Sequence, residues 1–295
     1  MTNDQSKRPD MHVGIIGLGK MGSAMASRLA EAEFIVSAWT RRGVSEQDAE
    51  ALGIEAKPDI ASLLEECDVA ILSLPDDAAV ITVLDQICRS RLDGRLIVDT
   101  STVSPDTLRS RIAAIEAAGG SAIDAPISGW PQMVASGRAG IYIGGKEEDV
   151  ARFMPIAAAL SNRIHHVGEP GAGAAAKIVN NMMLTGYWQC LKEAMQIGKK
   201  AGLSAEKMLE ILSGSPAANG SLAGKAPVIL GQSDAVSFTV DGVVGDLTLF
   251  TETADRLGVD TPAIAAALAS FKAHGEAGNG DADFITMVRN AYDQA

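Results

Sequence analysis

A chain of 295 residues, 47% hydrophobic and 21% charged, holds enough apolar material for two domains of ordinary size with real cores. Its net charge of −12 repels nucleic acid and anionic membrane surfaces, which sets both aside as partners; an anionic substrate would need local positive groups to overcome that field. Aromatic residues make up only 4% beside plentiful alanine and methionine, which favours close-packed helices over a β-sandwich.

In chain order, residues 1–10 (MTNDQSKRPD) lack the apolar stretch of a secretory signal and read as a flexible tail. From His12 to about Gly168, short apolar runs alternate with helix-like segments. The expected strands are His12–Gly17, Ile35–Thr40, Val69–Leu74, Leu96–Thr100, Ala122–Ile127, Ile141–Ile143 and Ile164–Val167. Helices are expected between them, over Met21–Ala32, Ala78–Ser90 and Pro105–Ala118 among others. This alternation predicts an α/β, doubly wound, mostly parallel sheet over residues 11–169. After Gly168 strand signals cease. Residues from Ala172 to Ala201 run without a breaker, ~45 Å of helix at 1.5 Å per residue. Further helices are expected at Ala205–Ser213, Val240–Leu257, Pro262–Ala273 and Phe284–Tyr292, so residues 170–295 read as an all-helical domain opened by one long interdomain helix. No apolar run reaches transmembrane length. Cys67, Cys88 and Cys190 are scattered and odd in number, and read as buried thiols of a cytoplasmic protein. His12, His165, His166 and His274 show no ligand pattern; the adjacent pair would point to opposite sides of a strand, and no metal is expected.

The first strand ends in HVGIIGLGKMG, with glycines in the spacing G-x-G-x-x-G at Gly17, Gly19 and Gly22 and a helix directly after. Glycines here permit a tight turn and let a pyrophosphate approach the helix N-terminus, so Gly17, Leu18, Gly19, Lys20, Met21 and Gly22 are the expected dinucleotide loop. The second strand ends in Thr40-Arg41-Arg42, where an NAD site usually has an acidic residue for the ribose hydroxyls. A hydroxyl and two guanidiniums suit a 2′-phosphate and argue for NADP, with NAD as the alternative. Leu74-Pro75, Ser101-Thr102 and Ser128-Gly129 end other strands and are expected to open onto the same crevice. Along the long helix, Lys177 and Asn181 are four apart and share a face. A lysine beside a helix N-terminus in an Ala/Gly setting is expected to release its proton more readily than an exposed one, as a general acid/base requires.

Several of these segments together resemble the β-hydroxyacid dehydrogenase family, which includes 3-hydroxyisobutyrate dehydrogenase and tartronate semialdehyde reductase. GLGKMGSAM is similar to its glycine-rich signature, DAPISGWPQMVASGRAGIYIGG to its substrate segment, and GAGAAAKIVNN to its catalytic segment. GDLTLFTETADRLGVDTP and GNGDADF resemble its C-terminal cofactor segments. The resemblance spans nearly the whole chain and implies a Rossmann-like domain followed by an all-helical one, with the active site between them. It implies Lys177 as general acid/base assisted by Asn181, and Ser128 and Gly129 as holders of the substrate carboxylate. Thr102 would touch the nicotinamide end, Leu74 and Pro75 would line the cofactor, and Asp246 would belong to a cofactor segment. It also implies a small-molecule substrate and a homodimer or homotetramer. Two departures stand out. Trp130 and Pro131 follow Ser128-Gly129 where the family has a second glycine, and Gly245 precedes Asp246-Leu247 where the family has lysine. Both point to a larger or less anionic substrate, with Trp130 as a wall of its pocket. The expected activity is interconversion of a β-hydroxy acid and its semialdehyde with NADP(H). The alternatives are reduction of another C=O or C=N bond, as in the imine reductases, which replace the lysine, or a non-catalytic NADP(H) sensor.

Overall fold

The computed structural model of the chain describes residues 11–295; the expected tail, 1–10, lies outside the described residues. The chain divides into two compact units, Met1–Ile178 and Val179–Ala295, whose boundary falls inside one long helix.

The first unit begins β1 (His12–Ile16), α1 (Lys20–Glu31), β2 (Ile35–Trp39), α2 (Glu46–Leu52), β3 (Glu55–Ala56), α3 (Ile60–Glu66), β4 (Val69–Leu72), α4 (Asp77–Ile87) and β5 (Leu96–Asp99). It continues α5 (Pro105–Arg109), α6 (Ile112–Ala117), β6 (Ser121–Asp124), β7 (Ile127–Ser128), α7 (Pro131–Ala135), β8 (Gly140–Gly144), α8 (Glu147–Leu160) and β9 (Arg163–Gly168), and closes in the first turns of α9 (Ala172–Lys200). The strands form one sheet in the order β3-β2-β1-β4-β5-β6-β8-β7, with β9 on β8. All pairs from β3 to β6 are parallel; β8 runs antiparallel to β6 and β7. Strand order reverses between β1 and β4, the place where an open α/β sheet leaves a crevice beyond its carboxyl ends.

The central strands are buried on both faces, which is why they read as unbroken apolar runs rather than alternating ones. Their side chains still alternate between two cores. Val13, Ile15, Val69, Ile71, Leu96 and Val98 pack under α1, α7 and α8. Ile16, Ala70, Leu72 and Ile97 pack under α3, α4, α5 and α6. Polar caps start the covering helices. Asp59, Asp76 and Ser104 accept the amides of Ser62, Ala79 and Asp106, and Pro105 occupies the first turn of α5.

Two sequence expectations change here. The run Ala122–Ile127 is not one strand, because Pro126 has no N–H to give a ladder; β6 ends at Asp124 and the chain crosses to pair as β7 with β8. Pro105–Ala118 is two short helices, broken where Ser110 bonds back to the Thr107 carbonyl and Arg111 turns to Asp85. The short elements β3, α2, α3 and α7 carried too little periodicity to be marked, and the longer α8 was not singled out either.

The second unit holds the rest of α9, then α10 (Ala205–Ser213), α11 (Leu222–Ile229), α12 (Val240–Leu257) and α13 (Pro262–His274). A π-helical turn at Gly275–Asn279 follows, then α14 (Thr286–Gln294). Trp188, Met195, Phe250, Phe271 and Phe284 form its core, with Trp188 and Phe271 against the Phe284 ring at 5.9 and 6.5 Å. A buried ion pair, Lys225–Asp283 at 2.8 Å, ties α11 to the segment before α14; Asp283 also accepts the amides of Ser237 and Ile285, so both charges are compensated. Among the described residues no helix is long and apolar enough to cross a membrane. The expectation of three buried cysteines fails: Cys67 is buried and its thiol is pushed up to about 12 by that burial, but Cys190 is exposed on α9.

Candidate functional site

The glycine loop is shaped by sterics at two of its three positions. Gly17 has φ of +104°, and a Cβ there would collide with the Ser73 carbonyl at the end of β4. A Cβ on Gly22 would strike the Gly17 carbonyl, so α1 can seat on its own loop only without one. Gly19 differs. It is the N-cap of α1, no side chain caps the helix there, and a Cβ would meet no atom within 4 Å. The helix N-terminus therefore faces open space, as an anionic group needs. Leu18 and Met21 pack against the core beneath, and Ser23 Oγ donates to the Leu18 carbonyl at 3.2 Å. Lys20 opens the helix and is exposed.

At the end of β2, Thr40 and Gly43 close a turn on themselves. Thr40 Oγ1 donates to the Gly43 carbonyl at 2.6 Å, and the Gly43 amide donates to the Thr40 carbonyl at 2.9 Å. Arg41 and Arg42 project from this turn, both exposed and neither in an ion pair among the described residues. The Thr40 hydroxyl, expected to be a phosphate contact, is engaged as a donor within the turn.

The β4 and β5 ends are joined to this crevice by hydrogen bonds. The Leu74 amide donates to Ser101 Oγ at 3.0 Å, the Ser101 amide donates to Asp99 Oδ1 at 3.0 Å, and Thr100 Oγ1 donates to the Leu72 carbonyl at 2.6 Å. Leu74 also borders Gly17, so the β1, β4 and β5 ends meet. Pro75 continues the first of these loops and half-buried Thr102 the second. Asp99 is fully buried, its Oδ2 has no partner among the described residues, and burial pushes its carboxyl up to about 6 against the pull of the Ser101 amide.

Asp124 stands beside Asp99 in register, at the end of β6. Its two oxygens accept the amides of Gly171 and Ala174 at 2.5 and 2.6 Å, fastening the first turn of α9 to the sheet. Burial raises the Asp124 carboxyl, and those amides oppose the shift. From the anchored turn Lys177 Nζ donates to the Ile127 carbonyl at 2.7 Å. The next residues are Ser128 and then Gly129, which has φ of +143° and lies against Met133. Trp130 is half-buried and outside both cores; its carbonyl accepts the amides of Met133 and Val134 at the start of α7.

In the second unit Asn181 Nδ2 donates to Asp246 Oδ2 at 3.2 Å, and its Oδ1 accepts from Asn180 at 3.0 Å. Gly245 opens onto empty space, so the shape of α12 leaves room for the side chain the family pattern has there. Sequence reasoning missed Asp99 and Asp124. The available signal was an acidic residue closing an otherwise apolar strand, in LIVD and SAID.

Comparison with known proteins decides the family. Residues 12–168 match the NAD binding domain of 6-phosphogluconate dehydrogenase, and residues 171–291 match the NAD-binding domain of NADP-dependent 3-hydroxyisobutyrate dehydrogenase. The chain belongs to the β-hydroxyacid dehydrogenase family. It is 30% identical to a 3-hydroxyisobutyrate dehydrogenase of Pseudomonas aeruginosa over 94% of this chain and 97% of that one. It is 29% identical to glyoxylate/succinic semialdehyde reductase 1 of Arabidopsis thaliana over 94% and 97%. The structure of a Mycobacterium tuberculosis 3-hydroxyisobutyrate dehydrogenase solved with L-serine superposes with a TM-score of 0.86 at 26% identity, covering 95% of this chain and 98% of that one. As a member of this family the chain has a nicotinamide-cofactor domain of Rossmann type, a helical second domain and the oxidoreductase chemistry of hydroxy acids, with a small molecule as substrate.

Proposed function

We propose that the protein is an NADP(H)-dependent reductase and dehydrogenase interconverting a β-hydroxy acid and its semialdehyde, with Lys177 as the general acid/base. The observation that carries this reading is the 2.7 Å bond from Lys177 Nζ to the Ile127 carbonyl, which holds an ammonium group beside Ser128-Gly129. The uncapped α1 terminus, the open space at Gly19 and the unpaired Arg41 and Arg42 suit the diphosphate and 2′-phosphate of the cofactor, and Leu74, Pro75 and Thr102 belong to the loops beyond the same strand ends.

When bound, the nicotinamide supplies the hydride that reaches the carbonyl carbon. The protein's part is the proton. Lys177 gives one from Nζ to the carbonyl oxygen as the aldehyde becomes an alcohol, and takes it back in oxidation. Ser128 and the Gly129 backbone hold the acid's carboxylate. Asn181, four residues on from Lys177 along α9 and bonded to Asp246, assists the lysine. Trp130 narrows the choice of substrate tail.

The test is NADPH oxidation measured against short aldehyde acids, keto acids and cyclic imines. Turnover of aldehyde acids supports the reading. Turnover of imines alone assigns the protein to C=N reduction, and NADPH binding with no turnover of any class assigns it to cofactor sensing.

A further inference from the structure

β7 and β8 pair antiparallel, with Ile127 opposite Ile141 and Ser128 opposite Gly140. Ile127, Ile141 and Ile143 face the core under α1, α7 and α8, so Ser128, Gly140 and Tyr142 share the other face. Gly140 has no side chain to part its two neighbours. The place its Cβ would take is 3.5 Å from Ser128 Cβ, 3.7 Å from Tyr142 Oη and 3.8 Å from the Ser128 carbonyl oxygen. The phenol tip therefore reaches along the strand to the start of the Ser128-Gly129 loop. Its ring is braced by His165, the residue in register with it on β9, with ring centres 6.1 Å apart. Its backbone is fixed as well. The Tyr142 amide donates to the Pro126 carbonyl at 3.3 Å, and a Cβ on Gly173 would strike the Tyr142 carbonyl, so the first turn of α9 lies directly on it. One turn further along, Lys177 makes its bond to Ile127. Tyr142 is half-buried and belongs to neither core of its unit. An apolar residue would fill such a place; a phenol adds a polar tip that can bond.

We propose that Tyr142 contacts the substrate and sets its specificity: the phenol O–H donates to the carboxylate of the acid held at Ser128-Gly129, beside the Ser128 hydroxyl. This rests on the reading of Ser128-Gly129 as the seat of that carboxylate. The phenol oxygen and Ser128 flank one point, on the face that the start of α9 covers. The net charge of −12 works against an anionic substrate, so a carboxylate here needs strong local donors. Gly245 supplies no ammonium where the family pattern has lysine. A phenol is a neutral donor, and its bond to a carboxylate is short and charge-assisted, stronger than its bond to an ester or another uncharged acceptor. Tyr142 thus makes the site choose acids over their neutral counterparts without adding a second fixed positive charge. The ring, braced by His165, has little freedom left to lose when that bond forms.

The experiment is steady-state kinetics of the full chain with NADPH, wild type beside Tyr142→Phe, on methylmalonate semialdehyde and 3-oxopropanoate and on the methyl ester of each. Phenylalanine keeps the ring against His165 and removes only the hydroxyl, so the melting temperature is expected to stay at the wild-type value. KM for the two acids is expected to rise ~10-fold or more with kcat nearly unchanged, because the lost bond is made in ground and transition states alike. KM for the methyl esters and for NADPH is expected to stay near the wild-type value. A wild type active on the acids and a Tyr142→Phe variant with the same KM for them would overturn this proposal and leave the Ser128-Gly129 reading standing. An equal rise for acids and esters, or a rise that comes with a lowered melting temperature, would make Tyr142 a packing residue and overturn it as well. A wild type that turns over neither acid would overturn the proposal together with the reading on which it rests.

Discussion

Lys177 on α9 is hydrogen bonded to the carbonyl oxygen of Ile127, the residue immediately before Ser128. This one contact joins the anchored start of a long helix to a short strand of the sheet, 50 residues earlier in the chain. Its position depends on Asp124, whose two oxygens hold the first turn of α9, so the lysine is placed by backbone contacts rather than by a flexible loop.

The proposed preference for NADPH rests on the β2 turn. Arg41→Ala/Arg42→Ala removes two exposed guanidiniums that make no other ion pair among the described residues, so stability is expected to be unchanged. Loss of charge-assisted contacts at ~1.5–3 kcal/mol raises the Michaelis constant for NADPH by roughly 10- to 150-fold and leaves that for NADH near its starting value. Steady-state kinetics with both cofactors check this. A wild type that prefers NADH refutes it.

The buried Asp99 makes a distinct pH signature. Its folded carboxyl sits at about 6, above the unfolded value, because burial disfavours the anion. Below about pH 4 the group is protonated in both states and its burial cost is absent; as pH rises through 6 the folded state must hold the anion and this stability is lost. Asp99→Asn cannot ionise. The melting temperature of the variant relative to wild type is therefore expected to climb between pH 4 and about 6.5 and to level off above. A difference that does not change with pH would show that Asp99 does not titrate in this range.

Trp130 is outside both cores of its unit, so Trp130→Gly is expected to leave the melting temperature within a few degrees of wild type. The same change opens the loop after Ser128-Gly129. Kinetics on paired substrates are expected to show a gain on short aldehyde acids and a loss on bulky carbonyl compounds. An equal loss on both, with a lowered melting temperature, would make Trp130 a packing residue.

What was legible in the sequence follows its periodicity. The α/β alternation, the length of α9 and the strand-loop-helix at Gly17–Gly22 were readable, because buried parallel strands and a breaker-free helix leave strong local signals. The split of Ala122–Ile127 hung on Pro126, whose missing N–H matters only once its neighbouring strand is known. Asp124 was opaque for a similar reason: its partners, the amides of Gly171 and Ala174, are about 50 residues away and carry no side-chain pattern. The exposure of Cys190 was likewise invisible, because a thiol on a helix says nothing of which face meets solvent.

The most direct test of the proposed chemistry is a single turnover of Lys177→Ala with saturating NADPH and the aldehyde acid the screen selects, beside a fluorescence titration of NADPH binding. The account predicts a fall in hydride-transfer rate of roughly 100-fold or more with NADPH affinity nearly unchanged, since the variant loses a proton donor and no cofactor contact. A variant that transfers hydride at the wild-type rate would contradict it.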